Sequence, residues 1–406
     1  MTGQAAVLAT ALLIFQASTV SSEEQRATLP AGEVQAEAVT EGELGAPNLP
    51  TVLSDIRALY ALQDAAAGGL NEAGALQKAL LQQISRKLAM DIPESLPNAL
   101  APGVAGFVLS GGNPALADLL AERQGLSTLH RKLLHGASLY MRGKLEAASV
   151  ELSDIDVLQL QPSLAGRVAL VQAMLETKDE DRRQSLLSVA IATMPGSLVE
   201  ESALRRSALF YAANGLERLF WKRASRYLRR FQRSLYAPAF LLEATNTMMK
   251  LEIDKANPDR LQFDILLAQL PQASRRKLYL HLARQAALRN LVDLSEFAAH
   301  RSLRLSMAGS QEAEISELYG TIFDVTSVDS TNSAQVLQSM TGELLPPLER
   351  RLLGASLTVT GEINRPVIEG GSEATESGSA TGIPELQKAV ELSLAAADEA
   401  MKESSQ

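Results

Sequence analysis

The chain has 406 residues, a net charge of −9, 46% hydrophobic residues and 21% charged ones, which suffices for one large or two ordinary domains with a real core. Aromatics make up only 4% while alanine and leucine dominate, a composition that favours helices packed on helices over β-sandwiches. Zero cysteines exclude disulfides, thiolate metal sites and cysteine nucleophiles, and the acidic balance argues against general nucleic-acid binding, which needs a basic surface.

The first predicted element is "AAVLATALLIF" (Ala5 to Phe15), an uncharged apolar run of eleven residues. A bilayer span needs roughly 20, so this run has the length of a signal-peptide core, and the small residues of "QASTVSS" place cleavage after Ser18 or Ser22. "MTGQ" ahead of it supplies only the terminal amine as positive charge; the other reading is an N-terminal helix of the fold. Residues 1–22 are read as signal peptide. The Glu-rich stretch 23–50, with scattered Gly and Pro and no aromatic, reads as a disordered acidic leader.

Residues 51–365 carry helical periodicity almost without strand signal. "LQDAAAGGLNEAGALQKALL" and "VLSGGNPALADLLAER" each read as helix–turn–helix. In "HGASLYMRGKLEAASVEL", Gly136 and the pair Ala147 and Ala148 have the tetratricopeptide arrangement, in which small residues let two helices approach and a glycine, Gly143, turns the chain. Steps of 36 residues from Gly143 reach Asp179 and Gly215, both at polar breaks. Pro162, Pro195, Pro238 and Pro271 are expected to open helices. Together these predict an all-α, irregular tetratricopeptide-like solenoid of antiparallel helix pairs, with an irregular bundle as the alternative. A Gly/Ser/Thr/Glu linker (366–382) and an amphipathic helix (383–404) follow.

Chemistry has no nominee. His130, His135, His281 and His300 lack metal-ligand spacing, and neither a nucleophile elbow nor a Walker loop is present. "LSGGNP" has two glycines but no following Lys-Ser/Thr, so it reads as a helix–helix turn.

The unusual segment is "LFWKRASRYLRRFQRSLYAPAF" (residues 219–240). At 100° per residue, Phe220, Ala224, Tyr227, Leu228, Phe231 and Leu235 share a core-facing stripe, and Trp221 sits at its border. Lys222, Arg226, Arg229 and Arg233 occupy the opposite arc, flanked by Arg223 and Arg230. Residues 217–236 carry +6, leaving −15 for the rest of the chain. A solvated outer face and a docking surface for an acidic partner or anionic membrane both fit this periodicity. The candidate partner-binding residues are Trp221, Lys222, Arg226, Arg229, Arg230 and Arg233.

"SLVEESALRRSALFYAANG" (Ser197 to Gly215) joined to "RYLRRFQRSLYAPAF" resembles the MotC family of rhizobial periplasmic motility proteins. "VLSDIRALYALQDAAAGGLNEAGALQKALLQQI" and "VLSGGNP" are similar to that family's opening helices, so the resemblance runs over roughly residues 50 to 365. It implies a periplasmic protein required for flagellar rotation, without enzymatic activity or cofactor. The implied partners are the periplasmic segment of the stator protein MotB and a periplasmic chaperone, MotE; nucleic acid is not among them, and no membrane span remains after signal cleavage. Readings from other classes are an envelope assembly factor built on helical repeats and an envelope hydrolase.

Overall fold

The computed structural model describes residues 49–90, 100–250, 258–323 and 330–363. The predicted signal peptide, the leader up to residue 48, the linker 366–382 and the helix 383–404 lie outside the described residues. Leu49 and Pro50, assigned above to the leader, open the first helix.

Every regular element among the described residues is helical: seventeen α-helices and one short 3₁₀ turn. They are α1 (Leu49–Ala67), α2 (Ala73–Met90), α3 (Leu100–Leu109), α4 (Pro114–Ala121), α5 (Thr128–Met141), α6 (Leu145–Leu152), α7 (Pro162–Leu175), α8 (Glu180–Thr193) and α9 (Leu198–Ala213). Then come α10 (Glu217–Phe231), α11 (Ala237–Lys250), α12 (Pro258–Leu267), α13 (Gln272–Ala287), α14 (Val292–Leu305), α15 (Gln311–Thr321), α16 (Ser330–Ser339) and α17 (Pro347–Ile363). Contacts divide the chain between Leu357 and Thr358, inside α17; of the second unit only residues 358–363 are described.

Within the first unit the dominant packing is between helices consecutive in the chain, as expected of stacked pairs. The turns between partners share one cap. Leu70, Gly112, Lys144, Leu216 and Leu291 each donate their backbone N–H to the carbonyl five residues back, closing the helix in a Schellman motif. That motif needs a left-handed residue, supplied at φ +73 by Gly143, at φ +66 by Gly215 and at φ +57 by Asn290. The break at Asp179 is different: its side chain caps α8 by accepting the Arg182 N–H at 2.8 Å.

Pro162 stands in the first turn of α7, Pro238 in that of α11, and Pro271 caps α13. Pro195 does not open α9. The cap is Ser197, whose hydroxyl accepts from the Glu200 N–H and so satisfies a donor that proline cannot. "LSGGNP" is a turn, with Asn113 capping α4.

Close approach of α5 and α6 depends on Gly136, since a Cβ there would stand 2.4 Å from Leu152 Cγ. Ala148 is fully buried at the same seam, whereas Ala147 faces solvent. Some contacts skip helices, and one of them spans far along the chain: α1 returns to α9, where Asp64 Oδ1 accepts the Leu198 N–H at 2.9 Å. Arg167, only 5% exposed, stacks on Tyr60 at 3.5 Å and donates to Ser110 Oγ and the Ser163 carbonyl, so it ties α1, α7 and the α3–α4 turn.

Gly136→Ala is expected to cost about 1–3 kcal/mol by overpacking. In urea unfolding, the double change with Leu152→Ala should cost less than the sum of the single changes, because the cavity left by one receives the methyl of the other.

Candidate functional site

The basic helix α10 is built on two carboxylates that the sequence reading passed over. Glu200 and Glu201, in the first turn of α9, are both 0% exposed. That position suits negative charge, because the helix N-terminus presents unpaired N–H groups and the positive end of its dipole. Glu200 Oε2 accepts the Gly196 N–H at 2.7 Å and pairs with Arg230 at 3.0 Å, while its Oε1 pairs with Arg226 at 3.0 Å. Glu201 Oε1 accepts from the Tyr227 hydroxyl at 2.7 Å and from Arg205 Nε at 3.2 Å. Two adjacent carboxylates of α9 thus hold three side chains of α10. The one sequence signal was Ser-x-x-Glu at 197–200, a capping-box pattern.

This anchoring divides the expected cations into two groups. Arg226 and Arg230 reach back to Glu200 with about two fifths of each side chain still exposed. Arg223 meets Ser188 Oγ of α8 at 3.4 Å. Lys222, Arg229 and Arg233 are exposed and make no ion pair among the described residues, and the same holds for Arg218, which the sequence reading did not select.

Trp221 is corrected outright. It is 4% exposed and packs on Phe220 and Phe263, with ring centroids 4.5 and 6.2 Å away, so it belongs to the core. Helix α12 covers that side of α10, a neighbour that a single-helix projection does not contain. Leu235, placed on the apolar stripe, lies beyond the end of α10 and is exposed. The other five stripe residues are all buried.

The Tyr–carboxylate–Arg cluster at Glu201 recurs along the stack. The Tyr279 hydroxyl donates to Asp264, which also receives Arg301. The Tyr319 hydroxyl donates to Glu349, which also receives Arg284, both at 3.1 Å. Burial, reinforced by the adjacent carboxylate, pushes Tyr227, Tyr279 and Tyr319 well above the usual tyrosine range.

Behind Glu201, Tyr140, Ser202 and Arg205 border a cavity of about 30 Å³. That holds about two waters and is far below the roughly 300 Å³ of a small-molecule site. Among the described residues no three His, Asp or Glu side chains converge as a metal site, and no helix is long and apolar enough to cross a membrane. The arrangement is that of a helix seated on buried carboxylates and showing cations outward.

The model of a family described as "Chemotaxis protein MotC" matches residues 3–406 of the sequence. The chain belongs to the MotC family. It is 28% identical over 322 residues to the "Chemotaxis protein MotC" of Rhizobium meliloti (strain 1021), covering 77% of this chain and 72% of that one. No solved structure matches it. Membership makes this a motility- and chemotaxis-related protein.

Two outcomes are expected. Glu200→Gln keeps the shape but removes the charge facing two arginines and should cost about 1–3 kcal/mol in chemical denaturation. Because the folded-state pKa of the three clustered tyrosines lies above the unfolded value, their contribution is complete below about pH 10 and is lost as pH rises, the unfolded chain releasing its protons first. Absorbance at 295 nm should therefore show Tyr227, Tyr279 and Tyr319 ionising together with alkaline unfolding rather than near pH 10.

Proposed function

We propose that this chain is a non-enzymatic motility protein of the periplasm, required for flagellar rotation, that binds the periplasmic segment of the stator protein MotB through the outer face of α10. The observation that carries the reading is the exposed cation face of Arg218, Lys222, Arg229 and Arg233 on a helix clamped from below by Glu200 and Glu201. A cation cluster without an ion pair among the described residues, in a chain of net charge −9, is a local reversal of field. Such a reversal steers an acidic partner and fixes its register more than it adds affinity. Arginine's planar fork suits carboxylates, and a helix held rigidly by its buried side spends little ordering entropy on docking. Family membership supports the motility assignment; the stator contact, the periplasmic location and the use of a MotE-type chaperone rest on the resemblance described above.

The structure changes which residues test this. Arg226 is a strut to Glu200, so reversing it confounds docking with stability. Lys222→Glu, Arg229→Glu and Arg233→Glu together should leave circular dichroism and the unfolding midpoint unchanged. Capture by a MotB periplasmic fragment should weaken about tenfold or more at low salt, and less near physiological ionic strength. In cells, the variant should assemble flagella and fail to swim. Capture and swimming equal to the parent protein would remove α10 from the contact; loss of flagella themselves would favour an assembly role.

A further inference from the structure

We infer that the unpaired cation stripe of α10 is a docking site for this chain's own Glu-rich leader, residues 23–48, which competes there with an external acidic partner. Three observations lead to this. The first is geometric. Arg218, Lys222 and Arg229 fall within roughly 40° of one line along α10, spread over roughly 16 Å, and Arg233 continues them just past the helix end. Arg226 and Arg230, turned toward Glu200, are not part of it. The stripe is therefore four cations in a row without an ion pair among the described residues.

The second observation is charge. Residues 23–48 contain Glu23, Glu24, Glu33, Glu37, Glu41 and Glu43 against Arg26 alone, a net −5 that matches the stripe in size and opposes it in sign.

The third is where the leader joins the fold. It enters through α1, and the turn that closes α1 packs on the end of the stripe: a Cβ at Gly69 would stand 2.7 Å from the Arg233 carbonyl oxygen. The root of the leader is thus about one helix length from Arg233, roughly 28 Å for a helix of this size. Twenty-six residues reach up to about 90 Å when extended. A tethered segment that can span the gap is present at high effective concentration, so weak carboxylate–guanidinium contacts suffice to hold it.

The contact itself needs no partner and stands or falls apart from the stator reading; only its consequence, competition for the same cations, rests on that reading. Lys222 is the one amine of the stripe, which makes it addressable. A water-soluble carbodiimide joins an amine to a touching carboxylate as an amide, the carbodiimide taking up the lost water as a urea. With the full-length chain at low ionic strength, mass spectrometry of the monomeric product should show Lys222 joined to Glu residues between 23 and 43. The yield should be several-fold above that at exposed Lys144, and should collapse in about 0.5 M NaCl, where the screening length falls to roughly 4 Å. Arg218→Glu, Arg229→Glu and Arg233→Glu together, with Lys222 kept and helicity checked, should abolish it. Changing the six leader glutamates to glutamine, with helicity again checked, should also abolish it, while raising capture of the MotB fragment several-fold. Lys222 joined no more than Lys144, joined to Glu369 through Glu403 instead, or joined only between molecules would overturn the inference. Normal cross-linking with unchanged capture would keep the docking and remove the competition.

Discussion

Two neighbouring carboxylates buried at the start of α9 set the geometry of the central part of the molecule. An ionised carboxylate withdrawn from water is costly unless each oxygen is served. Both oxygens of Glu200 are served, by a backbone N–H and two arginines; Glu201 takes a phenol and a third arginine on Oε1, and its buried Oε2 has no hydrogen-bond partner among the described residues. Four of those five donors come from outside α9, and three of them come from α10. Satisfying the charges therefore requires α10 to sit in one register and one rotation. The outward cation face is a consequence of that inward demand.

The same chemistry recurs where other helices meet. Tyr279 with Asp264 and Arg301, and Tyr319 with Glu349 and Arg284, repeat the arrangement of Tyr227 with Glu201 and Arg205. Aliphatic seams between alanine- and leucine-rich helices specify register weakly, because many offsets bury similar area. A phenol that must meet a carboxylate, which must also meet a guanidinium, admits one offset. The scarce aromatics are placed accordingly, in a run of ring contacts from Phe220 through Trp221, Phe263 and Tyr279 to Phe297. Fold specification and the presentation of a charged surface are thus joined in one network.

Much of this was legible in the chain. Helical period, turn glycines and capping serines act over three to five residues, so Gly143, Gly215 and Asn113 mark turns by local chemistry alone. The apolar stripe of α10 was readable for the same reason, since Phe220, Ala224, Tyr227, Leu228 and Phe231 need only the 100° step to line up. Glu200 and Glu201 were not, because a carboxylate twenty-six residues from its arginine carries no periodic mark.

The sequence by itself determined an all-helical stack, its main turns and the existence of a cationic helix, because each follows from backbone propensity and side-chain period within one or two turns. Only the tertiary structure decided which cations are struts and which make no ion pair among the described residues, and that Trp221 lies inside. Those outcomes depend on which helices become neighbours, α9 beneath α10 and α12 beside it, and on the pairing of Glu200 and Glu201 once they meet.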